Sequence, residues 1–594
     1  MTEINYDVVI YGSDIQAFIA AFRAADELNT TGKKVALVIP DSGRYLGGLI
    51  TSGGQNYWDT SKIPDVHAGS FGDMFDTNNT SPVYMGRGYG VADMSYYLYN
   101  ALNVTYKNKI TYYQSYDIVN YTTASAPYRI TSVTIRKFNK NWSTGIESYA
   151  SDTLKLNSSV FIDASQEGRL ARKVNSVATV GRCDWTAERL KRLNEYGEYE
   201  ETLDYKDFTE NETSVGKQQA ATLMVMMNKI KAGDKIPNDG MTVNNTPNGA
   251  ALTMDMEWTD YKFNVTGFPP KRECMAWGGT ETVRYAQEHA PAIDHFNETY
   301  GTSVPGVRPG MYIKPLNAAR DGYSSENWWV NTLLIFDVDG RAHEKDMGTA
   351  FYPNDMLSES WDVDEAWRAV RNCFNNDEQF RTDFVNAMHE FPGFRTAELV
   401  KDSLNGYRIG DSLYLRETVH MSESNVATKQ GTENSNYAVT AYECRDAGTG
   451  NSSRDKDYSN KATRIGLAYY QSDIHPYRKE HILSDGEYIY GKPGYKLIRD
   501  DIKDPDHPVY LPFSVMTTHY VSNLFLAGYA INASSYAWGE LRVFPNLCTI
   551  GDAAGIAAAY AAKNGLTALQ IGENSTHIAN VQSRLRVYGA RLDK

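Results

Sequence analysis

Apolar positions along the chain change rhythm several times, and each rhythm predicts an element. Tyr6 to Tyr11 is a short, mostly β-branched run that stops at Gly12. From Ile15 to Leu28 apolar residues recur at helical spacing, and after Thr30-Thr31-Gly32 a second apolar run covers Val35 to Ile39. Strand, tight turn, helix and strand in that order predict a βαβ unit, whose helix N-terminus offers unpaired N–H groups and a favourable dipole to a phosphate. Between Ile110 and Leu156 the pattern becomes alternation broken by turns, as in a β-meander. The buried run Val160 to Ser165 follows and passes through Gln166-Glu167-Gly168 into a helical stretch, Arg169 to Val174.

From about Gly181 to Asn405 the pattern is mixed. Helices are predicted over Trp185 to Tyr199, near Asp364 to Asn375 and near Phe380 to His389. Asn425 to Lys461, rich in Asn, Ser, Thr and Gly, predicts a loop or lid. Near the end a strand, Leu524 to Ala527, meets Gly528, and Gly551-Asp552-Ala553-Ala554-Gly555 is expected to open the last long helix. These changes divide the chain into a dinucleotide-type unit over 1–180, a substrate or cap region over 181–515 and a closing segment over 516–594.

Composition narrows the class. A chain of 594 residues, 42% hydrophobic and 22% charged, has the make-up of a soluble globular protein with more than one core. Its net charge of -14 argues against nucleic acid or an anionic membrane as partner, since both need basic patches. No apolar run is long enough for a membrane span, and no basic, then apolar, leader opens the chain, so a cytoplasmic location is expected. Five scattered cysteines without metal-ligand spacing predict neither a disulfide framework nor a metal site. The 42 tyrosines against 20 phenylalanines suit half-buried sheet faces, pockets for flat ligands or subunit interfaces, so self-association stays open.

The turn after the first strand departs from the G-x-G-x-x-G spacing. Gly12 is kept, Asp14 stands at the second glycine and Ala17 at the third. A carboxylate at the second position would crowd and repel a pyrophosphate, because glycine there lets backbone come close. The acid expected to bond a ribose hydroxyl after the second strand is replaced by Ile39, and the nearest acid is Asp41.

Taken in order, DVVIYG, LGGLITSGG at 46–54, FIDASQEGRLA at 161–171, LYLRETVHM at 413–421, SDIHP at 472–476 and the segment from LFLAG to GDAAGIAAA at 524–559 resemble the FAD-dependent oxidoreductase family with a glutathione-reductase-type FAD domain. The resemblance is weak between roughly Met226 and Phe394. It implies an α/β fold: a Rossmann-like FAD-binding domain with a β-meander, plus a mixed α+β substrate domain. It further implies a flavoprotein oxidoreductase that binds FAD noncovalently and takes a hydride from a C–OH or C–N small-molecule substrate. The alternative is a cofactor-poor descendant kept as a structural or binding protein.

By the same resemblance Gly12 and Ser13 turn the chain beneath the FAD pyrophosphate, and Gly47 and Gly48 lie close to the cofactor. Ala164 and Gly168 flank its adenosine side. Gly528 is a second FAD contact, and the helix carrying Gly551, Asp552, Ala553 and Gly555 points its N-terminus at the ribityl and pyrimidine end. Arg542 contacts flavin or substrate. For the chemistry, a hydride donor also sheds a proton, and histidine is the natural acceptor near neutral pH. His475, fixed before Pro476, is the first candidate, with a loop role as its alternative. Arg416 either anchors a substrate oxygen or pairs within the scaffold, Glu417 is the more structural neighbour, and His420 is a further candidate. Trp538 is expected to pack, His67 to be a loop residue or a covalent flavin anchor, and Cys548 to be a small buried hydrophobe.

Overall fold

A computed structural model describes the chain apart from residues 59–68, 75–87, 175–177, 182–190, 194–198, 202–217, 231–242, 246–251, 255–273, 278–281, 286–290, 323–324, 392–393, 405, 422–461, 469, 471–474, 476, 480–508, 519, 534 and 594. The loop expected over Asn425 to Lys461 and His67 both lie outside the described residues.

The first strands are β1 (Thr2–Asn5), β2 (Val8–Tyr11) and β3 (Val35–Ile39), with helix α1 (Ile15–Leu28) between β2 and β3. Both βαβ strands are buried along their whole length, as a parallel sheet covered on two faces requires. Helix α2 (Gly69–Met74) follows. The alternating run that begins at Ile110 is two strands, not one: β4 (Ile110–Gln114) pairs in parallel with β3, whereas β5 (Tyr116–Ala124) starts the meander. Ser115, at φ 58°, makes the break, donating its N–H to Ile39 O and accepting from Phe138 N. β5, β6 (Arg129–Lys140) and β7 (Glu147–Asn157) are antiparallel neighbours, and β1 adds to β7 in parallel. β8 (Val160–Asp163) then re-enters the main sheet beside β2.

Past β9 (Ala178–Val180) lies a second, six-stranded sheet. Its strands are β10 (Ala221–Asn228), β11 (Cys274–Trp277), β12 (Thr282–Tyr285), β13 (Met311–Arg320), β14 (Trp328–Ile335) and β15 (Glu398–Leu399), in the spatial order β12-β11-β13-β14-β10-β15. Helices α3 (Pro291–Tyr300), α4 (Val363–Asn376) and α5 (Glu378–Met388) share its core, with Phe296, Phe374, Phe380 and Phe384 packed ring on ring. Asp362 and Asp377 cap α4 and α5 by accepting from Glu365 N and Phe380 N. Where the sequence predicts helix over Trp185 to Tyr199, Lys191–Leu193 instead pairs antiparallel with Tyr199–Glu201.

The chain then returns. β16 (Val419–Met421) pairs with β9, and β17 (Leu524–Leu526) joins β8 in parallel, completing an all-parallel sheet ordered β17-β8-β2-β3-β4. The closing helix α6 (Phe544–Asn564) starts a full two turns before Gly551, correcting the expected start. Val543 is extended at its N-cap and Pro545 occupies the first turn, where its missing N–H costs nothing. α6 lies across α1 so closely that a Cβ on Gly551 would sit 2.7 Å from Gln16 O and one on Gly555 2.4 Å from Ala20 O. The fold is thus mixed α/β with a Rossmann-type parallel sheet.

Candidate functional site

The turn at the head of α1 is shaped by backbone contact. A Cβ on Gly12 would fall 2.6 Å from Ala164 O, so β2 and the end of β8 touch only because residue 12 is glycine. Gln16 holds the same carbonyl from the other side at 2.9 Å. Ser13 is half-buried beside it and approaches Gly48, whose Cβ would meet Ser13 O at 2.8 Å. Gly48 has φ +59°, a left-handed turn that glycine alone adopts readily, and Gly47 precedes it against Thr51 and Leu98.

Asp163, fully buried at the end of β8, organises the neighbouring turn. Its Oδ1 accepts from Ser165 N and Oγ, and its Oδ2 accepts from Leu170 N and Ala171 N at 2.9 and 2.8 Å. Those last two bonds cap a helix that runs only from Ala171 to Val174, shorter than the stretch read from the sequence. Gly168 is pressed against Ala530 and Val419, and Gly528 against Ser165 O, so the ends of β8 and β17 are locked together.

Asp14 is the departure that the sequence flags, and its carboxylate is wholly buried. Oδ1 accepts from Leu49 N at 2.8 Å and Oδ2 from Gln166 Nε2 at 2.8 Å. It bridges the α1 turn, the Gly47-Gly48 turn and the end of β8. Burial raises its pKa to about 6, against the two hydrogen bonds that favour the charged form.

A second constellation forms where the returning segments meet the six-stranded sheet. Arg416, 2% exposed, donates from Nη1 to Ala220 O at 2.8 Å and lies over the Tyr414 ring at 4.7 Å. Arg542 donates to Tyr414 Oη at 2.7 Å. His475 donates its backbone N–H to Gln219 Oε1 at 3.0 Å, one residue from the carbonyl that Arg416 holds. Thus His475, Arg416 and Arg542 come together around Gln219, Ala220 and Tyr414. His420 lies deeper, wholly buried, with Nε2 2.9 Å from Glu417 Oε1, which also accepts from Ser535 Oγ. Trp538 packs against the His420 and Tyr529 rings and donates to Arg416 O at 2.7 Å, as expected of a packing residue.

Tyr529, Tyr414 and Gln219 are site residues that the sequence reading does not single out. Tyr529 is buried after β17, feels the charges of Asp14, Arg542 and Arg416, and its phenol is held well above the usual value, chiefly by burial and then by Tyr414. Tyr414 carried a signal, its place in LYLRETVH two residues before Arg416, and so did Tyr529, which follows Gly528 directly; Gln219 carried none.

The residues predicted on the closing helix serve visible contacts of another kind. Gly551 and Gly555 make the α1–α6 crossing, and Ala553 is buried in the same core. Asp552 binds Arg23 Nε at 2.8 Å and accepts from Ser70 N at 2.8 Å, tying α6 to α1 and α2. Cys548 is free and buried, and burial pushes its thiol pKa up. No cluster of three or more His, Cys, Asp or Glu placed to hold a metal occurs among the described residues, and none of the described helices is long and apolar enough to cross a membrane.

A family profile described as FAD dependent oxidoreductase matches residues 7–585, so the chain belongs to that family and FAD is its cofactor. It is similar in fold to a geranylgeranyl bacteriochlorophyll reductase-like protein from Thermoplasma acidophilum, at 8% identity over 99% of this chain and 85% of that one, with a TM-score of 0.33. It is also similar to the Escherichia coli quinol fumarate reductase FrdA, at 10% identity over 99% and 75% with a TM-score of 0.26, and to the myxobacterial chondrochloren halogenase CndH, at 10% over 70% and 64% with a TM-score of 0.28. At these scores the solved structures add nothing on chemistry. No curated protein matches the sequence.

The residues present fit FAD. Asp41 accepts from Gly43 N with Oδ1, while its buried Oδ2 has no hydrogen-bond partner among the described residues, as an acceptor for a ribose hydroxyl would. The buried Tyr529 Oη and Gln219 Nε2 are likewise without a partner there. Gly12, Gly48 and Gly528 bring backbone close to the backbone of Ala164, Ser13 and Ser165, while Gly47 and Gly168 lie against the side chains of Leu98 and Thr51 and of Ala530 and Val419. Asp14 alone sits where a phosphate would be repelled.

Proposed function

We propose that this family member oxidises a small molecule at a C–OH or C–N carbon, with the substrate held between the returning segment 414–420 and the start of β10. The observation that carries the reading is the convergence of Arg416 and His475 on Ala220 and Gln219 and of Arg542 on Tyr414, beside a Tyr529 hydroxyl with no hydrogen-bond partner among the described residues. Bound FAD supplies the two-electron acceptor.

In this reading Arg416 holds the substrate oxygen or an anionic group, and its stacking on Tyr414 fixes the plane of the guanidinium. His475 takes the proton that a hydroxyl or amine loses as its carbon gives up a hydride. His420 is a positioning residue: fully enclosed and bonded to Glu417, it orients the segment just before β16 that carries Arg416. The buried tyrosines and Trp538 keep water from the reacting carbon.

Anaerobic mixing of the FAD-loaded protein with a panel of alcohols, hydroxy acids and amines tests this. Bleaching of the flavin band by one class, and a loss of about 10²–10⁴ in kcat for His475→Gln with little change in KM, are the expected results. A panel that leaves the band intact, or a His475→Gln enzyme as fast as wild type, refutes the assignment. A second reading, a binding protein that has lost the cofactor, is favoured by Asp14 alone; a protein that stays colourless after incubation with FAD would select it.

A further inference from the structure

Asp14 is a buried carboxylate at the head of α1 that bridges two turns of the dinucleotide cradle. Its Oδ1 takes the Leu49 amide immediately after Gly47-Gly48, and its Oδ2 takes Gln166 immediately after Ala164-Ser165. The Gly48 turn is moulded on it: a Cβ at residue 48 would lie 2.4 Å from Asp14 Oδ1. Three segments that come from separate parts of the chain are therefore drawn together on one carboxylate, which behaves as a small internal anion at the head of α1.

We propose that Asp14 is a built-in competitor for the cofactor phosphate: its carboxylate holds the Leu49 amide and the Gln166 carboxamide, and it yields them, taking up a proton from solvent, when FAD binds. The proposal rests on the family's cofactor and not on the hydride reaction proposed above. Two anions cannot share one buried amide without mutual repulsion that water is not present to screen. Of the groups that face Asp14, Asp41 in the loop after β3 is itself raised by burial to about 7 and carries its charge only above neutrality, and Tyr529 after β17 is neutral, with Arg416 and Arg542 acting on Tyr529. Gln166 and the Leu49 backbone are uncharged, so among the described residues no cation touches the carboxylate directly. With its pKa raised by burial to about 6, the carboxyl is ready to take a proton near neutrality.

Binding coupled to uptake of a single proton weakens about tenfold for each pH unit above that value. The test titrates apo-protein with FAD and, separately, with ADP-ribose, which carries the same pyrophosphate diester without the flavin and has no phosphate group that titrates, between pH 5.5 and 8. Wild type, Asp14→Asn and Asp14→Gly are compared, with calorimetry in two buffers of different ionisation enthalpy to count protons. Asn is isosteric and keeps an acceptor for the Leu49 amide, so it preserves the fold, which circular dichroism checks.

The expected result is a Kd for both ligands that rises about 50-fold from pH 6 to pH 8 in wild type and stays flat in Asp14→Asn, with proton uptake only in wild type. A slope that persists in Asp14→Asn, equal affinities of the two proteins at pH 8, or no binding of either ligand by any variant overturns the proposal. Since no turnover is measured, a failure here is separate from a failure of the substrate reading.

Discussion

Replacing Gly555 by alanine drives a methyl group into the backbone of α1. The new Cβ would lie 2.4 Å from Ala20 O, 2.9 Å from Ala20 Cα and 3.0 Å from Ala20 C, all main-chain atoms that no rotamer change can move aside. Ordinary contact begins near 3.4 Å, so the two helices must part by about 1 Å. Overpacking of a tight core costs up to about 3 kcal/mol, and the better helix propensity of alanine returns about 1, leaving a loss of roughly 2 kcal/mol. For a unit of this size that lowers the melting midpoint by about 4–8 °C. Differential scanning calorimetry of the apo-protein measures it, with Gly572→Ala as control, because its nearest neighbour would be Phe513 at an ordinary 3.4 Å. A Gly555→Ala protein that melts with wild type while the control behaves would refute the helix crossing. A weaker hold on FAD is the expected companion, since α1 carries the Gly12 turn with it.

Arg169 is completely buried among Asp117 at 2.6 Å, Asp346 at 2.6 Å and Glu167 at 3.1 Å, so Arg169→Met should cost about 3–5 kcal/mol in a urea titration, and adding Asp346→Asn should recover part of it. Equal midpoints for Arg169→Met and wild type would remove the network from the account of stability. Thermal stability should also fall from about pH 5 to pH 9 in two stages. Burial, helped by Asp411, raises the Asp41 carboxyl from its usual 3.8 to about 7 against the Gly43 amide, so its contribution is complete in acid and lost as pH climbs to 7. Burial lowers His343, but Asp364 and Glu167 prevail and set it at about 9, so its contribution fades between 6.5 and 9. Asp41→Asn should make the lower stage shallower, the remainder coming from Asp14, whose contribution is lost as pH climbs to about 6, and His343→Gln should flatten the upper one in melting curves taken across that range; an unchanged profile in both would contradict these directions.

What was legible in the sequence is what local chemistry writes into short runs. DVVIYG, Val35–Ile39 and Val160–Asp163 are apolar and β-branched because both faces of a parallel sheet are covered, and they fall where expected. α4 and α5 announce themselves through Asp362, Asp377 and a helical period. The break at Ser115 is invisible, since alternation on both sides continues through a single residue of unusual φ. Pro545 did mark the true start of α6, yet the alanines and glycines after Gly551 drew the eye two turns too far. β10, apolar at nearly every position, has no period by which to tell strand from helix. At the site, Arg416 and His475 stood in quotable motifs, but Gln219 matters through His475, 256 residues further on, and Tyr529 through Asp14 at the other end of the chain, distances that no local pattern spans. Asp14 read as damage to a motif, and only the positions of Leu49 and Gln166 show that it has contacts of its own.

The placement of β17 and α6 has a consequence for how the protein is made. β8 leaves the ribosome with one edge open, and the face of α1 that meets Gly551 and Gly555 stays uncovered until some four hundred further residues have been added. At about 5–20 residues per second that wait lasts roughly 20–80 s, during which an unpaired strand edge of Val160, Phe161 and Ile162 lies open to the wrong neighbour. The nascent chain is therefore a natural client for a holding chaperone, and its yield should depend on how fast translation reaches β17 and α6.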